Sequence, residues 1–175
     1  MKVQFRYRFE AAHRLLQTDS KACMTPHGHT WYTTLSLKFI GQSLNSSQMT
    51  VEFSVLKKEW KALIQETFDH SYMHNISDPI IEVLQAGEIK PRLIPFPGDP
   101  TTEMIALFLF SKMHKIIETS EFKDRVQVDH ILVDETPTNS IICSQDFFES
   151  QINNFSDHKG WWTSTDLKDR SLVAL

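Results

Sequence analysis

His27-Gly28-His29 is the first place in this sequence where chemistry is legible. On an extended chain, residues i and i+2 project to one face with Cα atoms roughly 6.5 to 7 Å apart, so two imidazoles placed there can grip one metal ion. Zinc bound by three histidines with an open fourth position is a catalytic arrangement. His13 is the natural third ligand if the segment that ends at it pairs with the segment that begins at His27. Cys23 lies between them and admits a second arrangement, a closed structural site made by Cys23, His13, His27 and His29. An H-x-H string is also common on surfaces that bind nothing.

Asp69-His70 offers a carboxylate beside an imidazole, which can orient the ring for proton transfer or lower a nearby thiol pKa. Its plainer use is a histidine at a helix C-terminus, favoured by the dipole. Glu103 likewise can complement a helix N-terminus. Glu135 is harder to explain structurally. It falls in step with Ile131 and Val133, and a carboxylate on an apolar face needs a partner such as a ligand with paired N–H donors. His74, His114, His130 and His158 have no comparable neighbours and are expected at surface or satisfied core positions, with Cys143 as a small core residue.

The elements that must place these groups follow from periodicity. Val3, Phe5, Tyr7 and Phe9 alternate with Lys2, Gln4, Arg6 and Arg8, the period of a half-buried strand, and a second strand runs from His29 to Phe39. Residues 14–28 join them as a loop. Ser54 can cap a helix over 54–68, with Leu56, Trp60, Leu63, Ile64 and Phe68 on one face. Residues 76–99 contain four prolines and two glycines and read as an insertion loop. Asp99-Pro100 then has the form of a helix start, with Asp99 as cap of a helix over 100–118. Residues 125–135 and 140–144 complete a hairpin around Thr136-Pro137-Thr138-Asn139. The order is ββααββ, an α+β antiparallel sheet with two helices on one face. Residues 147–175 form an extension whose role the sequence does not reveal.

With 175 residues, 41% of them hydrophobic, the chain can furnish one real core. Its longest apolar run, Met104 to Phe110, is far short of the roughly 20 residues a membrane span needs. Eighteen basic against 22 acidic residues give a net charge of -4, which does not suit a general nucleic-acid surface. Two cysteines are too few for a disulfide framework, so the expected setting is the cytoplasm.

Taken together, Phe9-Glu10-Ala11-Ala12-His13-Arg14-Leu15, Cys23-Met24-Thr25-Pro26-His27-Gly28-His29, Asp69-His70, Pro100-Thr101-Thr102-Glu103 and Glu135-Thr136 resemble the 6-pyruvoyltetrahydropterin synthase family in order and spacing over residues 1–146. Cysteine, three residues, then H-G-H is most similar to its bacterial 6-carboxytetrahydropterin synthase branch of queuosine (7-deazaguanine) biosynthesis. The resemblance implies the tunnelling (T) fold, whose subunits pool strands into an oligomeric barrel, usually a hexamer, with active sites at subunit interfaces. It implies zinc held by His13, His27 and His29, with Cys23 as the catalytic thiol and Asp69 and His70 completing its proton-transfer system. Thr101, Thr102, Glu103 and Glu135 would bind the pterin. The implied substrate is 7,8-dihydroneopterin triphosphate. The implied products are 6-carboxy-5,6,7,8-tetrahydropterin, acetaldehyde and triphosphate, with pyruvoyl formation by triphosphate elimination as the alternative. Two departures stand out: Glu52-Phe53 replaces the usual Asp-Phe, and Met73-His74 replaces the usual Leu-Asn. Outside that family, a zinc hydrolase or a non-catalytic zinc-binding interaction protein would share the histidines.

Overall fold

The structure, a computed structural model, describes residues 1–152. Strand β1 (Lys2–His13) pairs antiparallel with β2 (His27–Phe39), in a register that sets Phe9 opposite Trp31, Ala11 opposite His29 and His13 opposite His27. Residues directly opposite in a ladder share a face, so one face of this hairpin carries Phe9, Trp31 and all three histidines. Between the strands, α1 (Lys21–Met24) adds one turn within the expected loop, capped by the Ser20 hydroxyl.

Helix α2 (Phe53–Thr67) buries Leu56, Trp60, Leu63 and Ile64, which recur at three-to-four spacing as the periodicity requires. Its cap is Glu52, which accepts from the Ser54 N–H, and not Ser54 itself. The longer carboxylate side chain reaches the first free N–H and starts the helix one residue earlier. Strand β3 (Ser71–Asn75) follows and lies parallel to β1.

Residues 76–99 are not a structureless loop. They contain helix α3 (Ile80–Ala86) and strand β4 (Leu93–Phe96), which extends the sheet parallel to β3. The prolines that argued against regular structure sit where they do no harm. Pro79 precedes α3, and Pro95 lies on β4 at the end of the strand order, where a missing N–H breaks no inner ladder.

Helix α4 (Thr102–Glu118) is capped by Thr101, whose hydroxyl accepts from the Met104 N–H. Asp99, the expected cap, is engaged elsewhere. Strands β5 (Val126–Asp134) and β6 (Ser140–Ser144) form the expected hairpin, and α5 (Gln145–Ile152) follows. The strand order is β4-β3-β1-β2-β5-β6. The sheet is therefore antiparallel across β1, β2, β5 and β6 and mixed overall, with β3 and β4 added in parallel.

The core lies between the sheet and the two long helices. Phe9 contacts Phe68 at 5.3 Å and Phe68 contacts Phe108 at 5.4 Å between ring centroids, so β1, the end of α2 and α4 meet in one aromatic cluster. Helix α4 is buried on nearly every side from Ile105 to Phe110, because α5 covers its outer face by stacking Phe148 on Phe110 at 4.6 Å. Cys143 is buried as expected, and burial pushes its thiol pKa up to about 12. The opposite face of the β1–β2 hairpin is polar, with Arg6 stacked over Tyr32 and paired with Asp134.

Candidate active site

The hairpin register delivers His13, His27 and His29 as a cluster whose ligand atoms all lie within 4.8 Å of one another. Among the described residues this is the only group of three or more such side chains, and Cys23 is not part of it. A closed site of one cysteine and three histidines is therefore not what the fold builds. Three imidazoles converge without it.

Backbone carbonyls decide which nitrogen of each ring is available. His13 Nδ1 lies 2.9 Å from the Pro100 carbonyl and His27 Nδ1 lies 2.7 Å from the Thr25 carbonyl. A carbonyl only accepts, so each Nδ1 carries a proton, which leaves Nε2 as the nitrogen that either ring can offer to a metal. Burial lowers the pKa of His13 to about 4, reinforced by His27 and His29 and opposed by the Pro100 hydrogen bond. His29 is also lowered, by burial first and then by His27, against a raising effect of Glu135.

His13 Nε2 and His29 Nε2 are buried without a hydrogen-bond partner. The Glu135 carboxylate stands 3.6 Å from the first and 4.0 Å from the second, too far for hydrogen bonds. The His13 Nε2 lone pair and a carboxylate facing one another with no proton between them are mutually unfavourable, and a cation between them removes the conflict. The donor set thus fits zinc, with the Pro100 and Thr25 carbonyls as orienting groups. Sequence reasoning missed those two carbonyls, since the first lies 87 residues from its histidine.

Glu135 follows the end of β5, and its N–H donates to the Asn139 carbonyl at 3.0 Å. It lines a cleft of about 830 Å³ together with His29, Thr30, Tyr32, Arg6 and Arg8. Cys23 sits half-buried on α1 with its N–H donating to Ser20 Oγ at 3.3 Å. Thr101, Thr102 and Glu103 stand at the start of α4. Thr101 spends its hydroxyl on the cap, Thr102 is buried and Glu103 is exposed in the first turn.

Asp69 and His70 lie elsewhere. Asp69 Oδ1 accepts from the Glu10 N–H at 3.0 Å, and its Oδ2 stands 3.2 Å from His70 Nδ1. His70 adopts a left-handed backbone, φ 56°, as the chain leaves α2, and its side chain is 80% exposed. The pair lines a second cleft, of about 540 Å³, with Arg6, Arg8, Glu10 and Tyr32. Those residues belong to the polar face of the hairpin, opposite the histidine cluster. Arg6, Arg8 and Tyr32 line both clefts.

Three of the remaining histidines take the expected places. His114 pairs with Glu118 at 3.1 Å and His130 with Asp129 at 2.6 Å. His74 is a satisfied core residue with Nδ1 against the Asn75 carbonyl at 2.8 Å, and His158 lies outside the described residues.

Residues 2–146 match the sequence profile of the family described as 6-pyruvoyl tetrahydropterin synthase. A Bacillus subtilis (strain 168) protein named 6-carboxy-5,6,7,8-tetrahydropterin synthase is 30% identical over 152 residues, covering 79% of this chain and 86% of that one. A Rickettsia bellii protein of the same name is 28% identical over 138 residues, covering 78% of this chain and 95% of that one. Among solved structures, an uncharacterized Wolinella succinogenes protein superposes with a TM-score of 0.70 at 20% identity, covering 83% of this chain and 98% of that one. The Plasmodium vivax 6-pyruvoyl tetrahydropterin synthase superposes with a TM-score of 0.60 at 17% identity, covering 82% and 97%. The shared architecture is the T fold.

Proposed function

Since the chain belongs to the 6-pyruvoyl tetrahydropterin synthase family, we propose that it converts 7,8-dihydroneopterin triphosphate and water into 6-carboxy-5,6,7,8-tetrahydropterin, acetaldehyde and triphosphate, a step toward 7-deazaguanines such as queuosine. One observation carries this reading: three histidines, two of them oriented by backbone carbonyls, converge beside the Glu135 carboxylate. The names of the Bacillus and Rickettsia relatives support the carboxy product.

His13, His27 and His29 would hold a zinc ion, which when bound would supply Lewis acidity to acidify the C–H beside the hydroxyls of the substrate side chain. The chain's own groups do the rest. Cys23, as thiolate, accepts that proton. Glu135 takes the 2-amino and ring N–H of the pterin as a bidentate pair and thereby fixes the side chain against the metal site. Thr101, Thr102 and Glu103 complete the pterin pocket. Asp69 holds the exposed His70 ring for proton exchange with Cys23.

Asp69 and His70 serve the Cys23 of a neighbouring copy, and the enzyme works as a homo-oligomer with shared sites. Assembly also covers the polar face of the sheet and its edges. The test is incubation of the zinc-loaded protein with 7,8-dihydroneopterin triphosphate, with products read by mass spectrometry and acetaldehyde assayed. Carboxytetrahydropterin with acetaldehyde is the expected result. Pyruvoyltetrahydropterin would move the protein to the eliminating branch, and no turnover with metal present would refute the catalytic reading.

A further inference from the structure

Residues 14–26, which carry Cys23, form a loop whose flanking residues are the paired histidines His13 and His27. It is far longer than the roughly two to five residues a hairpin needs. Internally it is one unit. The Leu15 N–H donates to the Cys23 carbonyl at 2.9 Å, and the Met24 N–H donates to the Ser20 carbonyl at 3.0 Å. Cys23 is thus tied by its backbone to the residue next to Arg14.

Two carboxylates from the 76–99 segment tie this unit to the rest of the protein. Asp78 grips the Arg14 guanidinium with both oxygens, Nε donating to Oδ2 at 2.7 Å and Nη2 to Oδ1. Asp99 Oδ2 accepts from the Gln17 N–H at 2.6 Å, while its Oδ1 accepts from Asn75 Nδ2 at 2.9 Å. Both carboxylates are themselves fixed. The Asp78 side chain is fully buried, takes the Ile80 N–H at 2.9 Å, and is anchored by its own N–H to the Asn75 carbonyl at 3.0 Å. Asn75 ends β3, beside the strand that carries His13. A connection that only joined two strands would not need two carboxylates on its first four residues.

The geometry points to Asp78 and Asp99 as positioning residues for Cys23. The 76–99 segment is the frame that sets where the thiol loop stands relative to the histidine triad. This rests on the reading of Cys23 as the proton-moving group given above.

The experiment uses Asp99→Asn, milder than any change at the buried Asp78. An amide offers one acceptor where the carboxylate offers two, so either the Gln17 N–H or the Asn75 NH2 meets a donor. Exchanging the partners in Asn75→Asp with Asp99→Asn restores donor–acceptor matching at both contacts. Zinc content, the iodoacetamide alkylation rate of Cys23 and steady-state kinetics are measured on wild type, the single variant and the double variant. The single variant is expected to keep its zinc. Its Cys23 alkylates faster, by roughly threefold or more, as the loop loosens. Its kcat falls by roughly ten- to a hundredfold, the cost of about an ångström of misplacement. The double variant returns both values to within about twofold of wild type. Unchanged alkylation and kcat in Asp99→Asn would overturn the proposal. So would loss of zinc in parallel with kcat, or a double variant as impaired as the single one. Full turnover by Cys23→Ala would instead overturn the underlying reading of the thiol, while the alkylation rates would still report whether Asp99 anchors the loop.

Discussion

Consider His27→Ala, measured with and without zinc. Without metal the fold holds two buried ring nitrogens, His13 Nε2 and His29 Nε2, that have no partner. Each such group costs about 1 to 3 kcal/mol, so a metal that satisfies both returns stability of that order. Mass action gives a compatible figure: free zinc at about a thousand times Kd stabilises the native state by about 4 kcal/mol. For a chain of 175 residues that corresponds to a rise in Tm of about 8 to 16 °C. His27 is the ligand to remove because it is half-exposed, and its only described hydrogen bond, to the Thr25 carbonyl, is at the surface. In chelator, His27→Ala should therefore unfold within about 1 to 4 °C of wild type, a loss of about 0.5 to 1 kcal/mol. In zinc, wild type should rise by the full amount and the variant should not. Differential scanning fluorimetry over a zinc titration reads both numbers, and metal analysis of the desalted proteins checks occupancy. A variant that kept the zinc-dependent rise would refute the three-histidine site, as would a wild type that showed no rise at saturating zinc.

Cys23→Ala should retain wild-type zinc and lose turnover, by metal analysis and product assay; loss of metal would return the cysteine to a structural role. Cys23→Ala and His70→Ala should each be inactive alone, yet a refolded equal mixture should recover roughly a quarter of wild-type activity, the fraction of shared sites in which both residues are intact under random assembly. No recovery would mean that each chain completes its own site. Glu135→Gln should keep zinc and raise KM by roughly ten- to a hundredfold, as one charge-assisted pair is lost; an unchanged KM would remove its anchoring role. Native protein at pH 9 should take one alkyl group per chain, because the Cys143 thiol, with a pKa of about 12, stays protonated and buried, whereas denatured protein should take two by intact mass.

Much of the site was legible because its information is local. Alternation along Val3, Phe5, Tyr7 and Phe9 placed His13 on the inner face of its strand, and the i, i+2 spacing placed His27 and His29 together. Antiparallel pairing of the two strands across residues 14–26 then set His13 opposite His27. The helical periods of residues 54–68 and 100–118 were equally local and were right to within two residues. What stayed hidden depends on groups far apart in the chain. Proline and glycine content made 76–99 look irregular. Its strand β4 is stabilised by pairing with β3, and Asp78 by Arg14, 64 residues away. Asp99 looked like a helix cap in its local string, but it holds Gln17 and Asn75 while Thr101 caps the helix.

The sequence by itself determined the ligand types, the strand faces and the family of this protein, because side-chain chemistry and backbone period are written residue by residue. Only the tertiary structure decided that Cys23 stands outside the metal-binding group, that Pro100 and Thr25 carbonyls choose the nitrogens offered to a metal, and that Asp69 and His70 line a cleft with Arg6, Arg8 and Tyr32 of the β1–β2 hairpin. Each of these turns on which backbone carbonyl or strand face lies beside a side chain once the sheet has closed, and that pairing is fixed by long-range register and packing.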